Sequence, residues 1–247
     1  MDDKNQTKMT EFQFLGLTDI LHQQIVLFIM LSIVYLVTLG GNVAMIILIW
    51  IDLRFHTPMY FFLSHLSFVD ICSSSSIAPK MLCDIFVEKK GISFMGCATQ
   101  MWCFGLFVAT ECFLLASMAY DRYIAICKPL LYTLIMSQRV CVQLVVAPYV
   151  MGLISDMTHT TFAFRLPYCG PNTINHFFCD LLPVLSLACA DTQVNQFLLF
   201  ILAGALGVLS GVIILVSYIY IVVTILRIRS AEGRRKAFST CSSHFLN

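Results

Sequence analysis

The chain has 247 residues, of which 59% are hydrophobic and only 12% charged, with a mean hydropathy of +0.84. That balance excludes an ordinary soluble domain, and a net charge of +1 offers no basic footprint for nucleic acid. The apolar residues are gathered into long runs between short charged stretches, so a bilayer takes the place of a single core.

Residues 1–23 are polar and acidic at the start and lack a basic segment followed by a cleavage site, so they read as an extracellular N-terminus rather than a removable signal peptide. They carry the sequon Asn5-Gln6-Thr7, with Asn5 as a glycosylation acceptor. Five apolar runs follow, at about 24–50, 59–82, 94–120, 140–160 and 197–226. Each is near or above the ~20 residues that a helix needs to cross ~30 Å of hydrocarbon. The stretch "IVLFIMLSIVYLVTL" at 25–39 does not alternate, which argues against a β-barrel strand. An all-α membrane protein with a bundle over 24–226 is predicted, followed by a basic cytoplasmic segment at 227–247.

The loops assign the orientation. Arg54, Arg122, Lys128, Arg139 and the basic residues from Arg227 onward fall on one side with Asp52, Asp121 and Glu232, a net +6, while Asp2, Asp3, Glu11, Asp19, Asp84, Glu88, Asp156, Asp180 and Asp191 fall on the other with Lys4, Lys8, Lys80, Lys89, Lys90 and Arg165, a net −3. Basic loops stay cytoplasmic, so the N-terminus is expected outside and, after five crossings, the C-terminus inside. Four of the eleven cysteines, Cys97, Cys169, Cys179 and Cys189, lie on the outer side, where an oxidising compartment permits disulfides. Four cysteines allow three pairings. One of these, Cys97 with Cys179 and Cys169 with Cys189, would staple the long loop at about 161–196 over the mouth of the bundle. Cys72, Cys83, Cys103, Cys112, Cys127, Cys141 and Cys241 are expected to be free apolar thiols.

Certain side chains stand out inside the runs. Asp70 and Glu111 are acids within predicted spans, where an ionised carboxylate is costly and usually marks a functional position. Met101, Phe104, Gly105, Val108 and Cys112 recur at i, i+3, i+4, i+7 and i+11, which is one helical face. Asp121 and Arg122 close the third run, where the arginine can reach interfacial water and the acid can neutralise it. The six histidines are scattered rather than set at metal-ligand spacing, and no nucleophile or phosphate-binding motif is present, so neither an enzyme nor a cofactor is expected.

"GN" at 41–42, "FHTPMYFFLSHLSFVDIC" at 55–72, "MAYDRYIAICKPLLY" at 118–132, "SY" at 217–218 and "KAFSTCSSH" at 236–244 resemble the successive signatures of the odorant (olfactory) receptors. These are a branch of the rhodopsin-like G-protein-coupled receptors, and the resemblance covers essentially the whole chain. The family continues beyond "SSHFLN" into a sixth and a seventh span, so the chain reads as five helices of a seven-helix receptor bundle.

The resemblance implies a plasma-membrane receptor that binds small volatile ligands and couples to a heterotrimeric, stimulatory G protein to raise cyclic AMP. The alternative is a truncated, signalling-incompetent, pseudogene-like product retained in the endoplasmic reticulum. It further implies that Asp121, Arg122, Tyr123 and Tyr218 form the G-protein-facing switch, with Arg122 latched to Asp121 at rest. Asn42, Asp70 and Glu111 would form a polar cluster that, in the wider class, helps hold a sodium ion. The odorant pocket is placed against the Met101 to Cys112 face, with Ala109, His159, Leu199, Leu202, Ala203 and Leu206 as neighbours.

Overall fold

The computed structural model describes residues 9–16, 18, 20–169 and 171–227. Its frame is five long helical segments: α1 (Leu21–Ile51), α2 (Pro58–Asp84), α3 (Phe94–Cys127), α5 (Gln138–Phe164), and a last segment made of α7 (Gln193–Leu199), a π-helical turn (Phe200–Gly204) and α8 (Ala205–Arg227). A one-turn helix α4 (Tyr132–Ile135) precedes α5, and a short helix α6 (Leu181–Leu185) precedes α7. All five segments are long and apolar enough to cross a membrane, and the protein is an all-α membrane protein. Leu36, Val37 and Val208 are each about two-thirds exposed. Water would penalise such surfaces heavily, whereas lipid accepts them.

The segments overrun the apolar runs at nearly every end. The third continues to Cys127 rather than stopping near 120, and the fourth continues to Phe164 rather than 160. Helical hydrogen bonding does not stop where hydropathy falls, because polar residues at the interface still satisfy the ladder. Two consequences correct the sequence reading. Asp121 and Arg122 lie within α3 rather than past its end, and Asp156, counted with the outer-side charges although the run at 140–160 contains it, lies within α5.

α3 is the central element, packed against α2, α5 and α8. Its approach to α5 is close at Gly152, where an added Cβ would stand 2.9 Å from both the Leu106 carbonyl oxygen and Thr110 Oγ1. Small residues at such crossings let backbones approach when lipid supplies no hydrophobic drive. One half of the bundle buries Phe62, Leu66, Val69, Leu114, Met118 and Ile124 together.

The other half is closed by a cap that the apolar pattern does not announce. Strand β1 (Glu11–Phe14) pairs antiparallel with β2 (Gly91–Ser93) and parallel with β3 (Thr173–Ile174), giving the order β2-β1-β3. The segment before α1 is thereby tied to the loop before α3 and to the loop after α5. Phe12, Phe14, Cys97, Tyr168, Ile174 and Cys179 form a buried cluster beneath it. Disulfides join Cys97 to Cys179 and Cys169 to Cys189. Cys72, Cys83, Cys103, Cys112, Cys127 and Cys141 are free, and Cys241 lies outside the described residues.

Candidate functional site: a capped cavity between the third, fourth and fifth segments

The α3 stripe, α5, the cap loop and the π-turn region enclose a cavity of about 240 Å³. Met101, Phe104, Gly105, Val108, Ala109 and Cys112 supply one wall, His159 the second, and Leu199, Ala203 and Leu206 the third. Helical periodicity puts the α3 residues in line, and the close α3–α5 crossing brings His159 to the same space. The roof is Cys179, Asp180 and Leu181. It is held in place by the Cys97–Cys179 bridge and by Gln100, whose Oε1 accepts the Cys179 N–H at 3.0 Å while its Nε2 donates to the Ser76 carbonyl at 3.0 Å.

Of the pocket residues expected from the sequence, Leu202 is the exception, since it does not line the cavity. The physical reason is the π turn at Phe200–Gly204. A π turn inserts an extra residue into the helical repeat, so Leu199, Ala203 and Gly207 come to share the inner face and Leu202 is rotated off it. The cavity also includes Phe113, Ser155, Asp156, Thr160, Cys179, Asp180, Leu181 and Gly207, which the sequence reading did not place there. The signal available for Asp156 was an acid inside the apolar run "YVMGLISDM", the same signal that singled out Asp70 and Glu111.

Asp70 and Glu111 face one further cavity of about 330 Å³, shared with Tyr35, Thr38, Ser73 and Ser74. Asn42 does not join them. Its amide donates to the Thr38 carbonyl one turn back on α1, at 3.0 Å, because that acceptor lies on its own helix face. The Tyr35 and Ser75 hydroxyls, 3.1 Å apart, link α1 to α2 beside this cavity. No group of three His, Cys, Asp or Glu side chains suited to a metal ion exists among the described residues. The carboxyls of this cavity are thus two, from facing helices.

At the far end of α3, Asp121 is 2% exposed, and its partner is the Tyr132 hydroxyl, which donates to Oδ1 at 2.9 Å. The ion pairs among the described residues are Asp52–Arg54 and Lys80–Asp84, so the expected Asp121–Arg122 latch is replaced by a tyrosine contact. Consecutive helical residues point in different directions, and Asp121 faces the packed interior where α4 lies. Burial, with the Asp121 carboxyl beside it, pushes the Tyr132 phenol well above its ordinary range. Arg122 Nε is buried with no hydrogen-bond partner among the described residues. The Tyr123 and Tyr220 rings meet at a tilt of 57° with centres 5.7 Å apart, and Lys128 Nζ lies 5.8 Å from the Tyr123 ring centre. Tyr220, unremarked in the sequence, is therefore an α8 residue that meets Tyr123. Tyr218 also lies on α8. Asn5 and the motif at 236–244 lie outside the described residues.

A family model described as "Olfactory receptor" matches residues 31–247. The chain is similar to olfactory receptor 5G3 of Homo sapiens, 73% identical over 244 residues that cover 99% of this chain and 78% of that protein. It is also similar to two Mus musculus proteins. Olfactory receptor 5G29 is 72% identical, covering 99% of this chain and 78% of the relative, and olfactory receptor 5G25 is 74% identical, covering 99% and 77%. With five membrane-length helices, a disulfide-tied cap and a family match over most of its length, the chain belongs to the olfactory receptor family of rhodopsin-like G-protein-coupled receptors.

Proposed function

We propose that this chain binds small, mostly apolar volatile molecules in the α3–α5–α7 cavity and passes occupancy to a stimulatory heterotrimeric G protein, raising cyclic AMP. The observation that carries this reading is the cavity itself, whose walls come from three segments and whose roof is fixed by a disulfide. An enclosure of this size suits a ligand of a few carbons, with burial contributing about 0.8 kcal/mol per CH₂ and one polar group setting orientation. The family is one of receptors, not enzymes.

In this reading residues 1–23 are extracellular and bear a glycan at Asn5, 24–226 form the bundle at the plasma membrane, and 227–247 face the cytoplasm. The far end of α3 is the signalling end. Asp121 is parked on Tyr132, and Arg122, with no partner for its buried Nε, is the group available to receive the G protein. Tyr123 and Tyr218 flank it on α3 and α8. A small bias of a few kcal/mol between two bundle states is enough to move populations decisively.

The test uses cells expressing the chain and a chimera that carries the part of olfactory receptor 5G3 its match to this chain leaves uncovered. In the chimera, at least one member of a broad volatile panel raises cyclic AMP. Val108→Trp, which fills the cavity, and Arg122→Ala, which empties the signalling end, each abolish that rise. Panel-wide silence of a surface-expressed chimera, or a response indifferent to both substitutions, overturns the reading.

A further inference from the structure

The cavity is apolar along α3, yet its charged lining residues are both acids. Asp156 comes from α5 and Asp180 from the roof, and no Lys or Arg lines the space among the described residues. The two acids differ. Asp180 is engaged, its Oδ1 accepting the Leu181 N–H at 2.8 Å at the start of α6. Asp156 makes no hydrogen bond or ion pair with any described residue. Its carboxyl lies directly against Gly105, where an added Cβ would collide with Oδ1, so glycine at that position makes room for the acid. Three residues along the same helix, His159 is only 7% exposed and lines the same space, and its buried Nε2 also lacks a partner.

A carboxyl group held in an apolar, membrane-embedded cavity without a compensating cation is costly, and so is a buried imidazole nitrogen without a hydrogen bond. A ligand that brings a positive charge relieves the first of these costs. Resting on the odorant-pocket reading above, we propose that Asp156 is a specificity-determining residue that selects small aliphatic amines, with the ligand ammonium donating to the Asp156 carboxylate beside the His159 wall. The alkyl tail then lies along the Phe104 and Val108 face.

The test measures binding to the full chain in lipid nanodiscs by ligand-induced thermal stabilisation, with hexylamine, 1-hexanol and N-acetylhexylamine as probes. Hexylamine is expected to bind at least about tenfold more tightly than either neutral probe, the scale of a charge-assisted contact over a neutral one. Asp156→Asn keeps the side-chain shape and removes the charge. It is expected to weaken hexylamine by about tenfold or more while 1-hexanol changes by less than about threefold. Should Asp156→Asn fail to fold, the comparison of hexylamine with N-acetylhexylamine on the unaltered chain decides. Equal affinity for those two probes, or hexylamine binding unchanged in Asp156→Asn, overturns the amine inference. If 1-hexanol still binds in that case, the odorant-pocket reading stands alone. If none of the three probes binds, both fall.

Discussion

Replacing Gln100 by Leu should unfasten the roof of the cavity. Gln100 is 8% exposed and bridges three elements from α3, accepting the Cys179 N–H and donating to the Ser76 carbonyl, each at 3.0 Å. Leucine matches its volume but offers neither group. The Ser76 carbonyl can keep a bond within α2, so the main cost is the Cys179 N–H, left buried and unpaired at about 1–3 kcal/mol. For a chain of this size that corresponds to a fall in melting temperature of roughly 3–10 °C. Gln100→Glu separates the two bonds, since a carboxylate still accepts from Cys179 but cannot donate to Ser76, and it should fall between leucine and the native residue. Melting in detergent, followed by tryptophan fluorescence with the disulfides intact, gives the comparison. A Gln100→Leu protein that melts within about 1 °C of the original would show that the bridge carries no stability and that the disulfide alone holds the roof.

Gly152→Leu should prevent assembly of the bundle, and Gly152→Ala should cost about 1–3 kcal/mol, because even one methyl meets the Leu106 carbonyl and Thr110 at 2.9 Å; unchanged melting of the alanine variant would contradict the close crossing. The Tyr168 hydroxyl donates to the Ala163 carbonyl at 3.0 Å, and burial pushes its phenol from the ordinary value of 10.0 up to about 12. Below the unfolded value both states keep the proton, so that contribution to stability is whole, and it is lost as pH rises through the folded value. Alkaline melting curves of Tyr168→Phe should lack this component, and identical curves would remove the argument. Epitope tags at each terminus, probed with and without permeabilisation, should find residue 1 outside and residue 247 inside; both ends on one face would sink the five-crossing topology.

Much of the architecture was legible in the sequence because the constraint is local. A bilayer demands ~20 apolar residues per crossing whatever the rest of the chain does, so the five runs became the five segments α1, α2, α3, α5 and α7–α8. The α3 wall of the cavity was legible for the same kind of reason, since Met101 to Cys112 share a face by helical period alone. What only the tertiary structure decided depends on partners far away in the chain. Strand β1 is four residues, too short to signal itself, and exists through β2 and β3, with Asn172 reaching the Glu11 carbonyl across 161 residues. Leu202 left the cavity because of a π turn that no periodicity announces, and Asp121 chose Tyr132 over its neighbour Arg122 because packing set its direction. Asp156 entered the cavity because the crossing of α3 and α5 sets its carboxyl against Gly105, a meeting of helices that the sequence does not announce. Hydropathy reports what a residue prefers, whereas helix ends, register and side-chain partners are fixed by hydrogen bonds and close packing that form only when the segments meet.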